Sequence, residues 1–342
     1  MSGGARPFET NAILDSNENL GVGAARGPSA GLGAGAGPGA GLVYHIDASY
    51  FVFRAYHSMP ADMVDRDGNA THALYGFARF ICDFIERVRP ARIGVAFDHG
   101  LSGVTSFRCG IYPAYKANRE LRPADLSRQL GLCREFCRHL GLAEFASPEY
   151  EADDIIGTLA ARARAAGLRN VLVTRDKDLS QLVREGDVYW DYTGNARYHY
   201  HEIGARFGAS PEAFADFLAL TGDSVDNIPG VPGIGKKTAA LLFARFHSLD
   251  ELYANLECVP GLKLRGAAAI AAKLLAHKDT VYLARRLTAI VCDVPLRATP
   301  DDLKRRTPDA RGLEAFCDTH GFGNILRQQA RRIAGAAAAR MT

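Results

Sequence analysis

Residues 42–47 read LVYHID, a short apolar run that ends in an aspartate, and the same pattern returns as IGVAFD at 93–98 and VLVTRD at 171–176. Runs of this length between amphipathic segments are typical of buried parallel strands. In such α/β sheets ligands bind at the carboxyl ends of the strands. The sequence therefore predicts an α/β domain with three aspartates on one rim of its sheet.

Helical patterns separate these strands and then replace them. From about Glu202 the strand patterns stop, so we expect an α/β domain over residues 42–201 and a helical region over 202–329. The predicted helices span residues 73–87, 123–140, 151–165, 211–220, 236–246, 264–277 and 278–287.

The two ends of the chain are predicted to lie outside these domains. Residues 21–41 carry nine glycines in 21 positions, so this stretch buries too little apolar surface to offset its ordering entropy. We expect a disordered Gly/Ala-rich tail over residues 1–41 and a frayed tail over the Ala-rich residues 330–342.

The composition limits the possible functions. The 342 residues include 41 Lys+Arg and 38 Asp+Glu, a net charge of +3, which argues against a purely electrostatic polyanion binder. Nucleic acid is not excluded, because opposite charges in separate patches cancel in the sum. No apolar stretch approaches the roughly 18 residues of a membrane span, and the N-terminus carries acids where a signal peptide is apolar. We expect a cytoplasmic protein without membrane contact, whose seven cysteines are reduced.

Acidic residues collect at the predicted strand ends and helix starts. Each alone is explained as a helix cap, a turn or a solvated face, but three acids within residues 151–154 repel one another more than a cap requires. Oxygen-only clusters without His or Cys suit hard cations such as Mg²⁺ or Mn²⁺. Two such ions about 4 Å apart activate water and stabilise both oxygens of a phosphoryl displacement, which suggests phosphodiester hydrolysis. The candidate metal ligands are Asp47, Asp98, Glu151, Asp153, Asp154, Asp176, Asp178, Asp223 and Asp226.

Basic and glycine-rich segments supply candidate phosphate contacts. Lys116 and Arg119 lie three apart, as on one helical face, and such cations neutralise charge on a scissile phosphate. The adjacent Tyr115 is suited to stack on a base, and a solvated basic face is the alternative. The turn VPGIG at 231–235 precedes a helix that starts near Lys236, so glycines and helix amides can approach phosphate. A plain Gly/Pro turn explains that segment equally well.

Seven motifs in order resemble those of the 5′ nuclease domain of bacterial DNA polymerase I and its stand-alone and flap endonuclease relatives. The resemblance covers about residues 42–326. It implies a parallel-sheet, PIN-like α/β core with a helical arch at about 108–125, followed by a helix-three-turn-helix DNA-binding region with a hairpin at 230–237. The motifs are HIDASYFVFRAYH, VAFD, FRCGIYPAYKANR, EADDIIGTLA, TRDKDLSQLV, GDSVDNIPGVPGIGKKTA and AIVCDVPL.

The resemblance also implies roles for particular residues. All nine candidate carboxylates fall on the family's metal-site acids. Lys116 and Arg119 are expected to face the scissile phosphate, with Arg108 assisting. Phe53 occupies the position of an aromatic that lies against a base near the cut, although core packing explains it equally well, and Arg54 either reaches phosphate or pairs with an acid.

The hairpin is expected to hold duplex phosphates in a sequence-independent contact. By the resemblance it also binds a monovalent cation, such as K⁺. Its candidate DNA-binding residues are Gly233, Gly235, Lys236 and Lys237.

Two departures from the family pattern lie beside the predicted site. Arg175 stands where relatives commonly have glycine before DKD, and its cation either binds phosphate or obstructs the rim. His99 and Gly100 replace a turn that often contains lysine in relatives. We expect this replacement to weaken one phosphate contact.

The resemblance implies a structure-selective DNA 5′–3′ exonuclease and 5′-flap endonuclease of replication and repair that uses two or more Mg²⁺ or Mn²⁺ ions. Its expected partners are DNA with a 5′ flap, nick or 5′ end, the RNA primer of an RNA–DNA hybrid, and a DNA polymerase and ligase acting in trans. We expect a nucleoid-associated monomer. The alternatives are a PIN-like ribonuclease, disfavoured by the hairpin, and a catalytically inactive structure-selective DNA-binding protein, disfavoured by the nine acids.

Overall fold

The structure, a computed structural model, describes residues 41–99 and 106–338. In this part of the chain the strands are β1 (Leu42–Asp47), β2 (Ile93–Asp98), β3 (Ala143–Ser147), β4 (Arg169–Val173), β5 (Val188–Asp191) and β6 (Ala196–His199). They form one sheet in the order β3-β2-β1-β4-β5-β6. All neighbours pair in parallel except β6, which is antiparallel to β5. The predicted α/β sheet is confirmed.

The sheet has a switch point at β1, which lies between β2 and β4. Ligands of open α/β sheets bind outside the carboxyl ends of the strands at such a point. β1 ends at Asp47, and its neighbour β4 ends at Val173, three residues before Asp176. The topology therefore brings the acids that follow two of the predicted strands to the position where a ligand is expected.

Three of the six strands of the described sheet were not predicted. β1 is buried at every position, whereas every residue of β3 is only half-buried, and β5 and β6 have four residues each. A search for apolar runs detects strands that are covered on both faces. It misses short strands and half-exposed strands at the edges.

The seven predicted helices are all present, with ends that differ by no more than three residues. The helices around the sheet are α1 (Ala48–Ser58), α2 (His72–Val88), α3 (Phe107–Ile111), α4 (Ala124–His139) and α5 (Ala152–Ala165). The later helices are α6 (Tyr200–Phe207), α7 (Phe214–Thr221), α8 (Lys236–Phe243), α9 (Leu249–Ala254), α10 (Ala267–Ala276), α11 (Lys278–Thr288), α12 (Ala310–Thr319) and α13 (Asn324–Ala338). Short 3-10 helices span Lys177–Leu182 and Leu256–Gly261.

Apolar side chains cover the sheet on both faces. α2 and α4 pack on one face, where Phe77, Phe84 and Phe136 are fully buried. α5 packs on the other face through Ile155 and Leu159. Burial of a side chain of this size contributes about 1.5–3 kcal/mol relative to exposure. The two layers fix the carboxyl ends of the strands.

A separate apolar core holds α7 to α11 together. It is formed by large side chains such as Phe214, Phe217, Leu242 and Phe246. Tyr115, from the segment between α3 and α4, also packs into this core. The helical region is therefore connected to the segment that carries the predicted catalytic cations.

The expectation of a frayed tail over residues 330–342 is wrong for the residues that the structure describes. α13 continues to Ala338, and Ile333 is buried against α2. Arg332 pairs with Glu86 at 2.8 Å, and Gln329 donates to the same carboxylate at 2.9 Å. Alanine is the strongest helix former, so the buried Ala330 and Ile333 and the ion pairs of Arg331 and Arg332 suffice to dock this Ala-rich stretch.

The end of the predicted helical region returns to the α/β core. The guanidinium of Arg162 in α5 donates hydrogen bonds of 2.7 to 3.1 Å to the carbonyls of Val294, Leu296 and Ala298. α12 and α13 pack into the core on the α2 face. The separate helical core comprises α7 to α11. α6 packs on the sheet through Ile203, and the residues after α11 also pack in the cores around the sheet, so the change of core does not coincide with residue 202.

The remaining expectation about the chain ends cannot be compared with the structure. The predicted tail at 1–41 lies outside the described residues, apart from Gly41. Within the described ranges, no helix is both long enough and apolar enough to cross a membrane.

Candidate metal centre and nucleic-acid interface

Asp47 and Asp98 stand at the carboxyl ends of two neighbouring strands. Asp47 is buried, accepts a hydrogen bond from the backbone N–H of Tyr50 at 3.3 Å, and accepts another from Thr174 Oγ1 at 2.8 Å. Asp98 accepts from the backbone N–H of Ala152 at 2.9 Å. The acids do act as caps, but each carboxylate has about four acceptor sites. Capacity therefore remains for a ligand.

Four aspartates form one crowded cluster at the switch point. Burial raises the pKa of Asp47 to about 7, and the charges of Asp176 and Asp98 add to the shift. Burial also raises the pKa of Asp153 well above its usual range, with further contributions from the other three carboxylates. Such additions arise when like charges lie within several ångströms of one another. The fold has thus brought together acids from β1, β2, α5 and the segment after β4.

A second group of acids surrounds Lys177. Its Nζ lies 3.1 Å from Asp178 Oδ1 and 2.9 Å from Asp223 Oδ2. Burial and the charge of Asp176 still raise the pKa of Asp178 to about 7, although Lys177 opposes the shift. Lys177 was not predicted as a site residue, although its position between the two aspartates of DKD indicates a cation beside the predicted metal ligands.

The segment that links α3 to α4 brings the predicted catalytic cations to the acids. We refer to residues 107–123, α3 and this link, as the arch. Lys116 Nζ lies 2.7 Å from Glu151 Oε2 and 3.7 Å from Asp226 Oδ2, and Arg119 pairs with Asp226. The two cations expected to face a scissile phosphate therefore lie against two of the predicted metal acids.

Backbone contacts fix the arch in this position. The N–H of Lys116 donates to the carbonyl of Asp226 at 2.9 Å, and Asn118 Nδ2 donates to the carbonyl of Ser224 at 2.8 Å. Lys116 itself has φ 54°, in the left-handed region that a non-glycine residue rarely adopts. Strained backbone of this kind clusters at functional sites.

Asp154 and Arg108 form a buried pair, which corrects two expectations. The guanidinium of Arg108 donates two hydrogen bonds to the Asp154 carboxylate at 2.7 and 2.8 Å, and both side chains are nearly inaccessible to solvent. Val291 N–H donates to Asp154 at 2.9 Å, while Arg108 donates to the carbonyls of Leu287 and Ala289. Asp154 is therefore not placed as a metal ligand. Arg108 does not reach a scissile phosphate but joins the arch to α5 and to the residues after α11.

Tyr115 is also placed differently from the expectation. Its ring is only 4% exposed and packs in the helical core, so it has no face on which a base could stack. Its hydroxyl donates to Glu151 Oε2 at 3.2 Å and lies 3.4 Å from Asp226 Oδ2. The structure thus corrects the base-stacking role, because the hydroxyl instead orients two of the acids.

Phe53 and Arg54 lie in α1, and Phe53 contacts the arch. Phe53 is half-buried against the core, and the Arg122 guanidinium carbon lies 5.1 Å from its ring centre. Arg54 is exposed. The ring packs on the core and also carries a cation from the arch, and its contact with a base stays a prediction.

The structure describes Arg175 and His99, two of the residues that depart from the family pattern. Arg175 Nε lies 3.1 Å from Asp191 Oδ2 at the end of β5. This pairing draws the cation toward a neighbouring strand end. His99 is exposed, and Gly100 lies outside the described residues.

The predicted hairpin is a tight turn that leads into α8. Gly233 has φ 81°, in the left-handed region that favours glycine, so the backbone conformation requires a glycine at this position. Gly235 precedes the first helical residue and has open space around it. Lys236 and Lys237 are exposed in the first turn of α8. The turn thus presents glycines, helix-start amides and lysines on one exposed segment.

The acidic cluster fits a divalent cation in its chemistry. Its donors are carboxylate oxygens, which hard cations prefer, and Glu151 Oε1 is buried without a hydrogen-bond partner. Within residues 41–99 and 106–338, no three His, Cys, Asp or Glu side chains are already arranged around one point as a metal-binding group.

Two family profiles match nearly all of the folded chain. The profile described as the 5′-3′ exonuclease N-terminal resolvase-like domain matches residues 42–208, and the 5′-3′ exonuclease C-terminal SAM fold matches residues 209–311. The chain belongs to the 5′-3′ exonuclease family. The resemblance inferred from the motifs is confirmed, and so is the PIN-like 5′ nuclease fold.

Individual relatives agree with this assignment. The chain is 36% identical to the thermostable DNA polymerase I of Thermus filiformis over 283 residues, which cover 83% of this chain and 32% of the relative. The DNA polymerase I of Mycobacterium bovis is 35% identical over 289 residues, with shares of 83% and 31%. The chain thus spans about a third of the length of these curated relatives. A structure of bacteriophage T5 5′-exonuclease with bound zinc superposes with a TM-score of 0.59 at 18% identity, covering 86% of this chain and 99% of the phage protein.

Proposed function

We propose that the protein is a structure-selective DNA 5′–3′ exonuclease and 5′-flap endonuclease that hydrolyses phosphodiester bonds in DNA replication and repair. The observation that supports this most directly is the 2.7 Å contact between Lys116 and Glu151. It places an arch cation at the edge of the acidic cluster, so one phosphodiester can contact both. Membership of the 5′-3′ exonuclease family supports the same class of reaction.

The metal in this proposal is Mg²⁺ or Mn²⁺, held as two or more ions. When bound, such ions supply an activated water and offset charge on the phosphate. Asp154 is left out of the ligand set because Arg108 and Val291 occupy its oxygens. The remaining proposed ligands are Asp47, Asp98, Glu151, Asp153, Asp176, Asp178, Asp223 and Asp226.

The arch contributes charge that acts on the substrate. Lys116 and Arg119 exchange their carboxylate partners for oxygens of the scissile phosphate, where fixed positive charge stabilises the charge that develops in the transition state. The Tyr115 hydroxyl keeps Glu151 and Asp226 oriented during this exchange. The arch is thereby both a strand guide and a source of catalytic cations.

A cleavage assay tests the proposed reaction. The protein is incubated with end-labelled 5′-flap DNA, blunt duplex DNA and single-stranded RNA, each with Mg²⁺, with Mn²⁺ and with EDTA. We expect the flap to be cut near its junction and the blunt duplex to be degraded slowly from its 5′ end. EDTA should abolish both reactions, because every proposed donor is a carboxylate that needs a cation. Preference for the RNA would instead indicate a PIN-like ribonuclease, and flap binding without cleavage an inactive DNA-binding protein.

We propose that the turn before α8 holds the duplex next to the cut, with a monovalent cation such as K⁺ bound there. Replacing Lys236 and Lys237 together by alanine should weaken duplex binding. The association constant should also fall less steeply with salt: the magnitude of the slope of its logarithm against the logarithm of the salt concentration should decrease by about 2, since each phosphate contact contributes roughly 0.9. Fluorescence anisotropy in EDTA measures this slope, and replacing K⁺ by tetramethylammonium tests the cation. Arg331→Ala is a matched control because Arg331 pairs with Glu314 on α12. An unchanged slope in the lysine variant would contradict the contact.

The wider setting is also proposed. The substrates are DNA with a 5′ flap, nick or 5′ end and the RNA primer of an RNA–DNA hybrid, and the functional partners are a DNA polymerase and a ligase. We propose a monomer that works in the cytoplasm at the nucleoid. The relatives named DNA polymerase I support this setting.

A further inference from the structure

A third arch cation, Arg122, lies beside the two that were predicted. It lines a cavity of about 50 Å³ together with Lys116 and Arg119, and Asp98 lines the same cavity. Pro123 follows Arg122 and precedes the first residue of α4. A residue before proline is restricted to extended backbone, so the direction of Arg122 is partly fixed by the chain.

Arg122 also contacts the candidate base-binding aromatic. Its guanidinium carbon lies 5.1 Å from the ring centre of Phe53, at cation–π distance. A guanidinium that is stacked on an aromatic ring keeps its N–H groups directed outward in the plane, where they match phosphate geometry. One side chain can therefore hold an aromatic ring and a phosphate at the same time.

The cavity carries charges of both signs. Lys116, Arg119 and Arg122 line it together with Asp98, Glu149 and Glu151, so a phosphate that enters takes the place of carboxylates as the partner of these cations. Lys116 and Arg119 already have carboxylate partners in Glu151 and Asp226. Arg122 is the cation of this group that also contacts Phe53, and Asp98, a proposed metal ligand, lines the same cavity.

We infer that Arg122 is a strand-positioning residue, which binds a phosphate of the cleaved strand while its guanidinium, held over the Phe53 ring, extends that surface under the adjacent base. This inference rests on the proposed nuclease function. The alternative role of the same contact is inhibition, in which Arg122 covers Phe53 and must leave before a base can bind. The two roles predict opposite effects of removing the side chain.

The test compares Arg122→Ala and Arg122→Lys with the parent protein on a 5′-flap DNA that carries 2-aminopurine at the base next to the cut. We expect Arg122→Ala to raise KM about tenfold or more, as for the loss of a charged hydrogen bond, with kcat changed less. In EDTA, Arg122→Lys should bind DNA with the salt dependence of the parent protein, because lysine keeps the positive charge. It should not recover the parent's quenching of 2-aminopurine fluorescence, because lysine lacks the planar guanidinium. Arg206→Ala is the matched control, because Arg206 lies over the Tyr198 and Phe207 rings on β6 and α6.

The outcomes separate the inference from the function on which it depends. Faster cleavage or stronger quenching in Arg122→Ala would overturn the positioning role in favour of inhibition. Cleavage, salt slope and quenching equal to those of the parent would also overturn it. If the parent protein does not cut any flap, the proposed function fails; the anisotropy and quenching measurements in EDTA still report whether Arg122 contacts DNA. A denaturation midpoint equal to the parent's shows that a loss does not come from unfolding.

Discussion

Asp153→Asn is expected to abolish flap cleavage without loss of stability, whereas Asp154→Asn, one residue further along α5, should unfold far more easily. Burial and the charges of Asp176, Asp47 and Asp98 raise the pKa of Asp153. Removing its charge therefore relieves repulsion in the metal-free protein. It also removes a carboxylate from the proposed metal site, for which we expect a loss of kcat on the order of a thousandfold.

Asp154 has the opposite environment. It is completely buried, and its carboxylate accepts two hydrogen bonds from Arg108 and one each from the Val291 and Glu151 backbone N–H groups. Neutralising it leaves the Arg108 charge buried without its partner, which typically costs about 3–5 kcal/mol. We expect the free energy of unfolding of Asp154→Asn to fall by about this amount, with cleavage lost mainly through displacement of the arch.

Urea denaturation in EDTA and single-turnover cleavage of flap DNA measure the two effects on the same preparations. The variants are matched controls for each other, because they make the same chemical change at adjacent positions of one helix. Equal stability for the two variants would show that the Arg108 pair contributes little. Full activity in Asp153→Asn would remove Asp153 from the metal site.

The contrast between these two aspartates shows what the sequence could and could not predict about the site. The motif EADDIIGTLA predicted a helix that starts with acids, and the structure places that helix at the switch point. The motif alone could not show that Asp153 lies in the acid cluster and Asp154 in a buried ion pair. On a helix, consecutive residues point about 100° apart, so Asp153 meets the strand-end acids while Asp154 meets Arg108.

Arg108 and Tyr115 show the same limit for the arch. Both stand in FRCGIYPAYKANR, next to Lys116 and Arg119, and all four side chains are suited to bind nucleic acid. The partners that decide their roles are distant in sequence: Leu287 and Ala289 accept from Arg108, and the core of α7 to α11 encloses Tyr115. Local patterns selected these residues by their type, but burial depends on tertiary contacts that no local pattern contains.

The fold was more predictable than the site because its strongest signals are long and repeated. Strands buried on both faces read as continuous apolar runs, and amphipathic helices repeat their pattern over several turns. α13 was not predicted, although Leu326, Ala330 and Ile333 stand four and three apart on its buried face. The glycine and alanines that follow Ile333 carry no such stripe. The position of α13 depends on Ile333 and on the pairing of Arg332 with Glu86, more than two hundred residues earlier.

Lys116→Met should lower kcat for flap cleavage by about a hundred- to a thousandfold while changing KM less than tenfold. Methionine keeps the length of the side chain and removes the charge, which is expected to act mainly on the transition state. The substitution also removes the ion pair with Glu151. Burial favours a raised pKa for Glu151, but Lys116 and Arg108 outweigh it and hold the pKa below its usual value. Without Lys116 the Glu151 carboxyl should protonate at higher pH, so the acidic limb of the pH–rate profile should shift to higher pH.

Steady-state and single-turnover kinetics from pH 5 to pH 9 measure both effects. Lys304→Met is the matched control, because Lys304 pairs with Asp301 at the surface; its rate and profile should equal those of the parent. Circular dichroism of each variant checks that the fold is kept. A rise in KM with unchanged kcat would show that Lys116 binds the strand equally well before and during the reaction. In that case the contact between Lys116 and Glu151 guides DNA into the site, and the transition state is stabilised by other residues.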